Sequence, residues 1–164
     1  MCFLITKHTK AIYLHDTGYY RAKILDGEDE LCSIETPTKI ISENCISNGS
    51  TLEGREKAVK QILKTKSKLP VPVVPAKGIY MFPTLSKRNE HCIWLSYYQI
   101  DNYKQIDNRT LIQFKDGTGI YAKISEPVVD LQFKRTSQVI AQLNRPTIFG
   151  PHSPDDDNFT PPII

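Results

Sequence analysis

The chain lacks any apolar run near the ~20 residues that a membrane-spanning helix needs. Its opening residues, Met1-Cys2-Phe3-Leu4-Ile5-Thr6-Lys7, give too short an apolar stretch for a secretion signal and have no basic region before it. The expected location is therefore cytoplasmic, with no membrane partner. None of the four cysteines, Cys2, Cys32, Cys45 and Cys92, belongs to a Cys-x-x-Cys pair. A reducing cytoplasm would keep them as thiols. A zinc site would have to be drawn from Cys32, Cys45, His91 and Cys92, which are scattered; the alternative is ordinary buried thiols. No metal or cofactor is expected. Catalytic signatures are missing too. There is no Gly-x-x-x-x-Gly-Lys-Ser/Thr phosphate loop, no Gly-x-Ser-x-Gly elbow and no His-Glu-x-x-His helix. His91 and Cys92 are adjacent, but neighbours on a strand point to opposite faces and make a poor base–nucleophile pair. Asp155-Asp156-Asp157 reads as a solvated charge run. The expectation is that the chain is not an enzyme.

Charge of one sign is also in short supply. The net charge is +3, so the overall balance says little about a polyanionic partner, and the question becomes where the positive charge gathers. With 164 residues, 40% of them hydrophobic and 24% charged, the chain can bury a core without metal or disulfides. One domain is expected over residues 1–149. Residues 150–164, rich in proline and aspartate, read as a flexible tail.

The first third alternates as strands do. Ala11–His15 and Tyr20–Leu25 flank the turn signal Asp16-Thr17-Gly18. Leu31–Ile34 and Thr38–Ser42 continue the strand pattern around Pro37. At Ser50 the character changes: Ser50 and Glu53 have capping-box spacing. Beyond them Ala58, Val59, Ile62 and Leu63 share one helical face, with Lys57, Lys60, Lys64 and Lys68 opposite. The proline-rich stretch 69–75 ends this helix. Strands are predicted over Gly78–Pro83 and His91–Ile100. A hairpin is predicted where Thr110–Phe114 and Ile120–Ile124 flank Lys115-Asp116-Gly117-Thr118-Gly119. A second helix starts at Ser125-Glu126-Pro127, with serine as cap, buries Val129, Phe133, Ile140 and Leu143, and closes at Arg145-Pro146. The fold class is α+β: mainly antiparallel strands with a mid-chain helix and a C-terminal helix.

The lysine row is the most functional-looking local feature. From Lys57 to Lys68 it would cover about 16 Å of helix, enough to follow a phosphate backbone. A solvated helix face explains the same row. Arg55 sits in the first turn, where the helix dipole disfavours a cation. Lys87-Arg88 follows Pro83-Thr84-Leu85-Ser86 in a loop; a loop arginine can enter a minor groove or only keep a turn soluble. Lys134-Arg135 carries the same two readings.

Three segments together resemble a known family. Cys45-x-x-x-Gly49-Ser50-x-x-x-Gly54-Arg55 is similar to the Cys…Gly-Ser…Gly-Arg segment of the competence transcription factors of the ComK family. Phe82-Pro83-Thr84-Leu85-Ser86, followed six residues on by Cys92-x-Trp94, resembles the family's central signature. The Asp116-Gly117 hairpin and the helix after it are similar in order and spacing. The likeness covers roughly residues 31–144. It implies a sequence-specific, DNA-binding activator of competence (DNA-uptake) genes. Such an activator would bind paired A/T-rich boxes of double-stranded DNA, largely through the minor groove, as a dimer or pair of dimers. RNA polymerase and an adaptor–protease system are the further partners it implies. The family match itself carries Gly49, Ser50, Gly54, Arg55 and the Phe82–Ser86 motif. The inferred DNA contacts are Arg55, Lys57, Lys60 and Lys64, with Arg88 behind them. The chain departs from the family in one place: it has Thr147-Ile148-Phe149-Gly150-Pro151 where better-known members carry the aromatic-Met-Leu-Tyr-Pro motif bound by the MecA adaptor. The alternative is a ComK-like protein-interaction module without DNA binding.

Overall fold

The computed structural model describes residues 2–145 and 162–163. The tail expected over residues 150–164 and the Arg145-Pro146 helix stop fall essentially outside them. Nine strands and three α-helices follow one another along the described chain. The strands are β1 (Thr9–Leu14), β2 (Ala22–Asp26), β3 (Asp29–Ser33), β4 (Val71–Val74), β5 (Ile79–Pro83), β6 (Ile93–Ser96), β7 (Ile100–Ile106), β8 (Arg109–Phe114) and β9 (Gly119–Ala122). The helices are α1 (Pro37–Ser47), α2 (Leu52–Leu63) and α3 (Glu126–Leu143). Six strands form one sheet in the order β3-β2-β1-β6-β5-β4, and β7-β8-β9 form a second. Every pairing is antiparallel. The α+β class and both expected helices are therefore present.

Both faces of the larger sheet are covered along β1, β6, β5 and β4, while the edge strand β3 is exposed, and the two-residue period of the strands decides which side chain goes where. Ile12, Ile79, Met81 and Trp94 point to one side and pack with Ile40, Ile41 and Cys45 of α1 and Leu52 of α2. Ala11, Phe82, Ile93 and Leu95 point to the other and meet Ile112, Phe114 and Ala122 of the second sheet and Val129 of α3. A third small cluster, Val59, Leu69 and Val139, joins α2 to α3. One buried cation crosses between the sheets: Lys10 Nζ of β1 reaches Asp116 Oδ2 at 2.7 Å and Thr118 Oγ1 at 2.8 Å in the β8–β9 turn. Those contacts, that of Lys10 first, hold the Asp116 carboxyl well below the usual carboxylate range, at about 2.

Several sequence expectations need correction. Thr38–Ser42 is not a strand but part of α1. Thr36 caps it, its hydroxyl accepting from Lys39 N, and Pro37 takes the first helical position, where a missing N–H is harmless. Residues 69–75 do more than end a helix, since Val71–Val74 form β4. Pro72 is tolerated there because β4 is the outermost strand of its sheet. The cap of α2 is Thr51, whose hydroxyl accepts from Gly54 N at 2.9 Å, rather than Ser50. Ser125 holds the cap position of α3 without a side-chain cap bond. Gln105 of β7 substitutes for it, its Oε1 accepting from Glu126 N at 2.7 Å. On α3 the buried face is Val129, Gln132, Thr136 and Val139; Leu143 is exposed.

Candidate nucleic-acid interface

The turn between α1 and α2 is made by the Cys45–Arg55 segment. Ser50 N donates to Cys45 O and Gly49 N to Ile46 O, both at 3.1 Å, so α1 ends in the two-bond pattern that needs a left-handed residue after the cap. Gly49 supplies it with φ +83°. Gly54 allows a close approach: a Cβ there would meet the Ser50 and Thr51 hydroxyls at 3.1 Å. Arg55 is half-buried and turns back toward α1, one Nη donating to the Asn48 carbonyl at 3.2 Å. A cation is favoured at that C-terminal end of α1, which offsets its poor position in the first turn of α2. Burial pushes the neighbouring Cys45 thiol up to about 11, with the Arg55 charge acting against it.

The Phe82–Trp94 segment builds the second feature, a loop from Thr84 to Cys92. Thr84 closes its neck: its backbone N donates to Ile93 O, and its hydroxyl accepts from Ile93 N, each at 2.9 Å. Inside the loop Asn89 N donates to Ser86 O, Cys92 N to Asn89 O, and Cys92 Sγ to Leu85 O at 3.4 Å. Burial raises the Cys92 thiol, the largest of its influences. Lys87 and Arg88 are left exposed at the tip. Trp94, the only tryptophan, is buried beneath it.

Between this loop, α2 and the segment after α2 lies a cleft of about 250 Å³. Lys60, Lys66, Lys68, Lys87 and Arg88 line it, together with one carboxylate, Glu56, and with Trp94 at its floor. Five cations in so small a space attract phosphate oxygens, and the opening admits phosphate groups at the edge of a larger polyanion. A second cavity of about 260 Å³ lies beside it and shares Lys87, Arg88 and Trp94. The walls are fixed from behind by Gln132 of α3. Its buried Nε2 donates to the Lys68 carbonyl at 2.7 Å and to the Pro83 carbonyl at 2.8 Å.

Of the five DNA contacts inferred from sequence, Lys60 and Arg88 line the cleft, joined by Lys68 of the lysine row and by Lys87; Arg55, Lys57 and Lys64 do not. Lys57 and Lys64 are exposed on or at the end of α2. The four-lysine row is shorter than expected, because the helix ends at Leu63 and Lys68 lies beyond it. Lys64 and Lys68 both adopt left-handed backbone, with φ of 54° and 52°. Lys134 pairs with Asp130 at 2.7 Å, and Arg135 donates to Gln132 Oε1 at 3.0 Å, so both are engaged within α3. Lys66, Glu56 and Gln132 escaped the sequence reading. A signal for Gln132 existed: it sits at a core position of the Val129–Val139 period. The four cysteines do not converge, and among the described residues no group of three His, Cys, Asp or Glu side chains is placed to hold a metal.

The model of the family described as "ComK protein" matches residues 2–147. A relative from Bacillus subtilis (strain 168), named Competence transcription factor, is 29% identical over 102 residues. That match covers 62% of this chain and 53% of the relative, so it spans about half the relative's length. No solved structure matches the chain.

Proposed function

The chain belongs to the ComK protein family, and from that premise we propose that it is a DNA-binding transcription factor that activates competence genes. The basic cleft carries this reading. Five cations converge beside a loop that lifts Arg88 into solvent. Arg88 makes no ion pair among the described residues. In the proposed complex Arg88 enters the minor groove of an A/T-rich box, where the narrowed groove deepens the negative potential. Lys60, Lys66 and Lys68 take the flanking phosphates, and Lys57 and Lys64 extend the contact along α2. Base discrimination in that groove is limited to A·T against G·C. Paired boxes and a dimer or pair of dimers then supply the rest, one protomer to each box. Arg55 acts indirectly, by holding the α1–α2 turn.

The backbone supports the assignment. Glycine or asparagine is the usual occupant of left-handed backbone, yet lysine stands at the α2 cap, position 64, and again at 68 in the segment after it. A lysine at a position that strains it suits a need for charge.

The test is fluorescence anisotropy with the full chain on a duplex carrying two A/T-rich boxes and on a G/C-rich duplex of equal length. Tighter binding to the first, weakening steeply with salt, is expected. A folded protein that ignores both duplexes in dilute buffer would overturn the reading. The alternative of a protein-interaction module without DNA binding would then stand.

A further inference from the structure

Glu56 is out of place in a phosphate site. It is the one carboxylate lining the cleft, and its Oε1 lies 2.8 Å from Lys87 Nζ. Its side chain is only 17% exposed, against 38% for Lys87. The pairs Lys39–Glu43 and Lys134–Asp130 join successive turns of one helix. The Glu56–Lys87 pair instead ties α2 to the tip of the 84–92 loop, 31 residues on. A carboxylate there repels phosphate and occupies one of the five cations. Folding alone gives it no evident reason to sit in the cleft, because a partly exposed ion pair adds little stability.

Resting on the DNA-binding reading, we propose that Glu56 is a specificity-determining residue, a carboxylate that withholds Lys87 from phosphate until Arg88 is seated in a narrow groove. When Arg88 enters an A/T-rich minor groove, the flanking phosphates are drawn toward the loop tip. The ammonium of Lys87 then exchanges its carboxylate partner for a phosphate, and Glu56 is released to water. On a G/C-rich duplex the groove is wider and carries the guanine amino group, so Arg88 does not seat. Lys87 stays with Glu56, and non-specific contact is made with one cation fewer. Glu56 therefore weakens wrong binding more than right binding, which is how a repulsive element produces selectivity.

The experiment compares the wild type with E56Q, K87Q and the double variant by anisotropy on A/T-rich and G/C-rich duplexes over a range of salt. Thermal melts confirm that each variant is folded. E56Q should tighten G/C-rich binding by ~3–10-fold, as expected for one freed cation, and steepen its salt slope by about 0.9. A/T-rich binding should gain less, so the ratio between the duplexes falls. In the double variant the gain should vanish. An unchanged ratio and slope in E56Q, with a wild type that still prefers A/T-rich DNA, would overturn the inference and leave the DNA-binding reading intact. No duplex binding by any variant would sink the reading and the inference with it. Pyrophosphate, titrated through Trp94 fluorescence, adds a readout free of DNA: tighter binding by E56Q than by the wild type is expected, and equal affinity counts against Glu56.

Discussion

Gln132, buried in the middle of α3, donates both protons of one amide nitrogen to main-chain carbonyls of two separate segments, Lys68 at 2.7 Å and Pro83 at 2.8 Å. Both residues line the basic cleft, Lys68 in the segment after α2 and Pro83 at the end of β5, where the Thr84–Cys92 loop begins. Gln132→Leu keeps the volume and removes the donors, leaving two acceptors without them. A loss of about 2–3 kcal/mol is expected in urea unfolding, the range for stranding buried polar groups. DNA affinity should fall as well, under conditions where the variant is still folded. Wild-type stability in this variant would show that the two walls do not depend on the bridge.

Lys64 allows charge and fold to be separated. At φ 54° it caps α2 in a conformation that glycine accepts without strain. Lys64→Gly should relieve about 1 kcal/mol of backbone strain. It should lose about 0.3–1 kcal/mol of favourable cation–dipole interaction. Stability should therefore stay the same or rise slightly in a thermal melt. In the same variant the salt slope on an A/T-rich duplex should flatten by about 0.9, one phosphate contact fewer. Equal slopes would remove Lys64 from the interface.

Arg55 is expected to behave in the opposite way. Its guanidinium is committed to the Asn48 carbonyl at the end of α1. Arg55→Met keeps most of the stem and removes that bond, so unfolding should become easier by about 1–2 kcal/mol. The salt slope of DNA binding should not change. A flatter slope with full stability would instead make Arg55 a phosphate contact.

The Lys10–Asp116 pair gives a pH prediction. The Asp116 carboxyl is depressed from its ordinary range to about 2, chiefly by its bond to Lys10. A carboxylate with a lowered folded-state pKa contributes its full stabilisation above the ordinary value, about pH 4. The contribution is lost as pH falls from there toward 2. Urea midpoints taken between pH 7 and pH 2.5 should show this decline, and Asp116→Asn should remove this part of it. At pH 7 the same substitution should cost about 1–3 kcal/mol, because Lys10 stays buried with a weaker partner. A fully buried pair would lose more, but Asp116 is 36% exposed.

Much of the fold could be read from local pattern, and the exceptions have local causes. The Asp116-Gly117 hairpin and α2 announce themselves through turn chemistry and helical period. α1 was hidden because Thr38, Ile40 and Ile41 look like a strand, although Thr36-Pro37 is a helix start and Ile40, Ile41, Asn44 and Cys45 fall on one helical face. Prolines at 70, 72 and 75 masked β4, whose place at the sheet edge excuses Pro72. Ser50 has the spacing of a cap because it is one residue from the true one, but its N–H already closes the end of α1.

The candidate site was less legible than the fold. Lys60 and Arg88 could be named as cations, but their convergence could not, since they come from a helix and a loop 28 residues apart. From sequence, Arg55 reads as a contact because the helix dipole disfavours a cation in the first turn. The end of a different helix explains it, and that neighbour is invisible in one dimension. Glu56 carried no signal at all within the helical pattern of α2. Its meaning depends on Lys87, which only the folded chain brings within 2.8 Å.

The reach of Gln132 across the two walls also sets an order of events during synthesis. A ribosome delivers residues 56–69 first, then 83–94, and the glutamine that braces both comes later. A nascent or truncated product stopping before α3 would expose lysines and Arg88 but would lack the brace that sets their spacing. On the proposed DNA-binding reading, such a product would hold duplex DNA less tightly than a chain that includes α3.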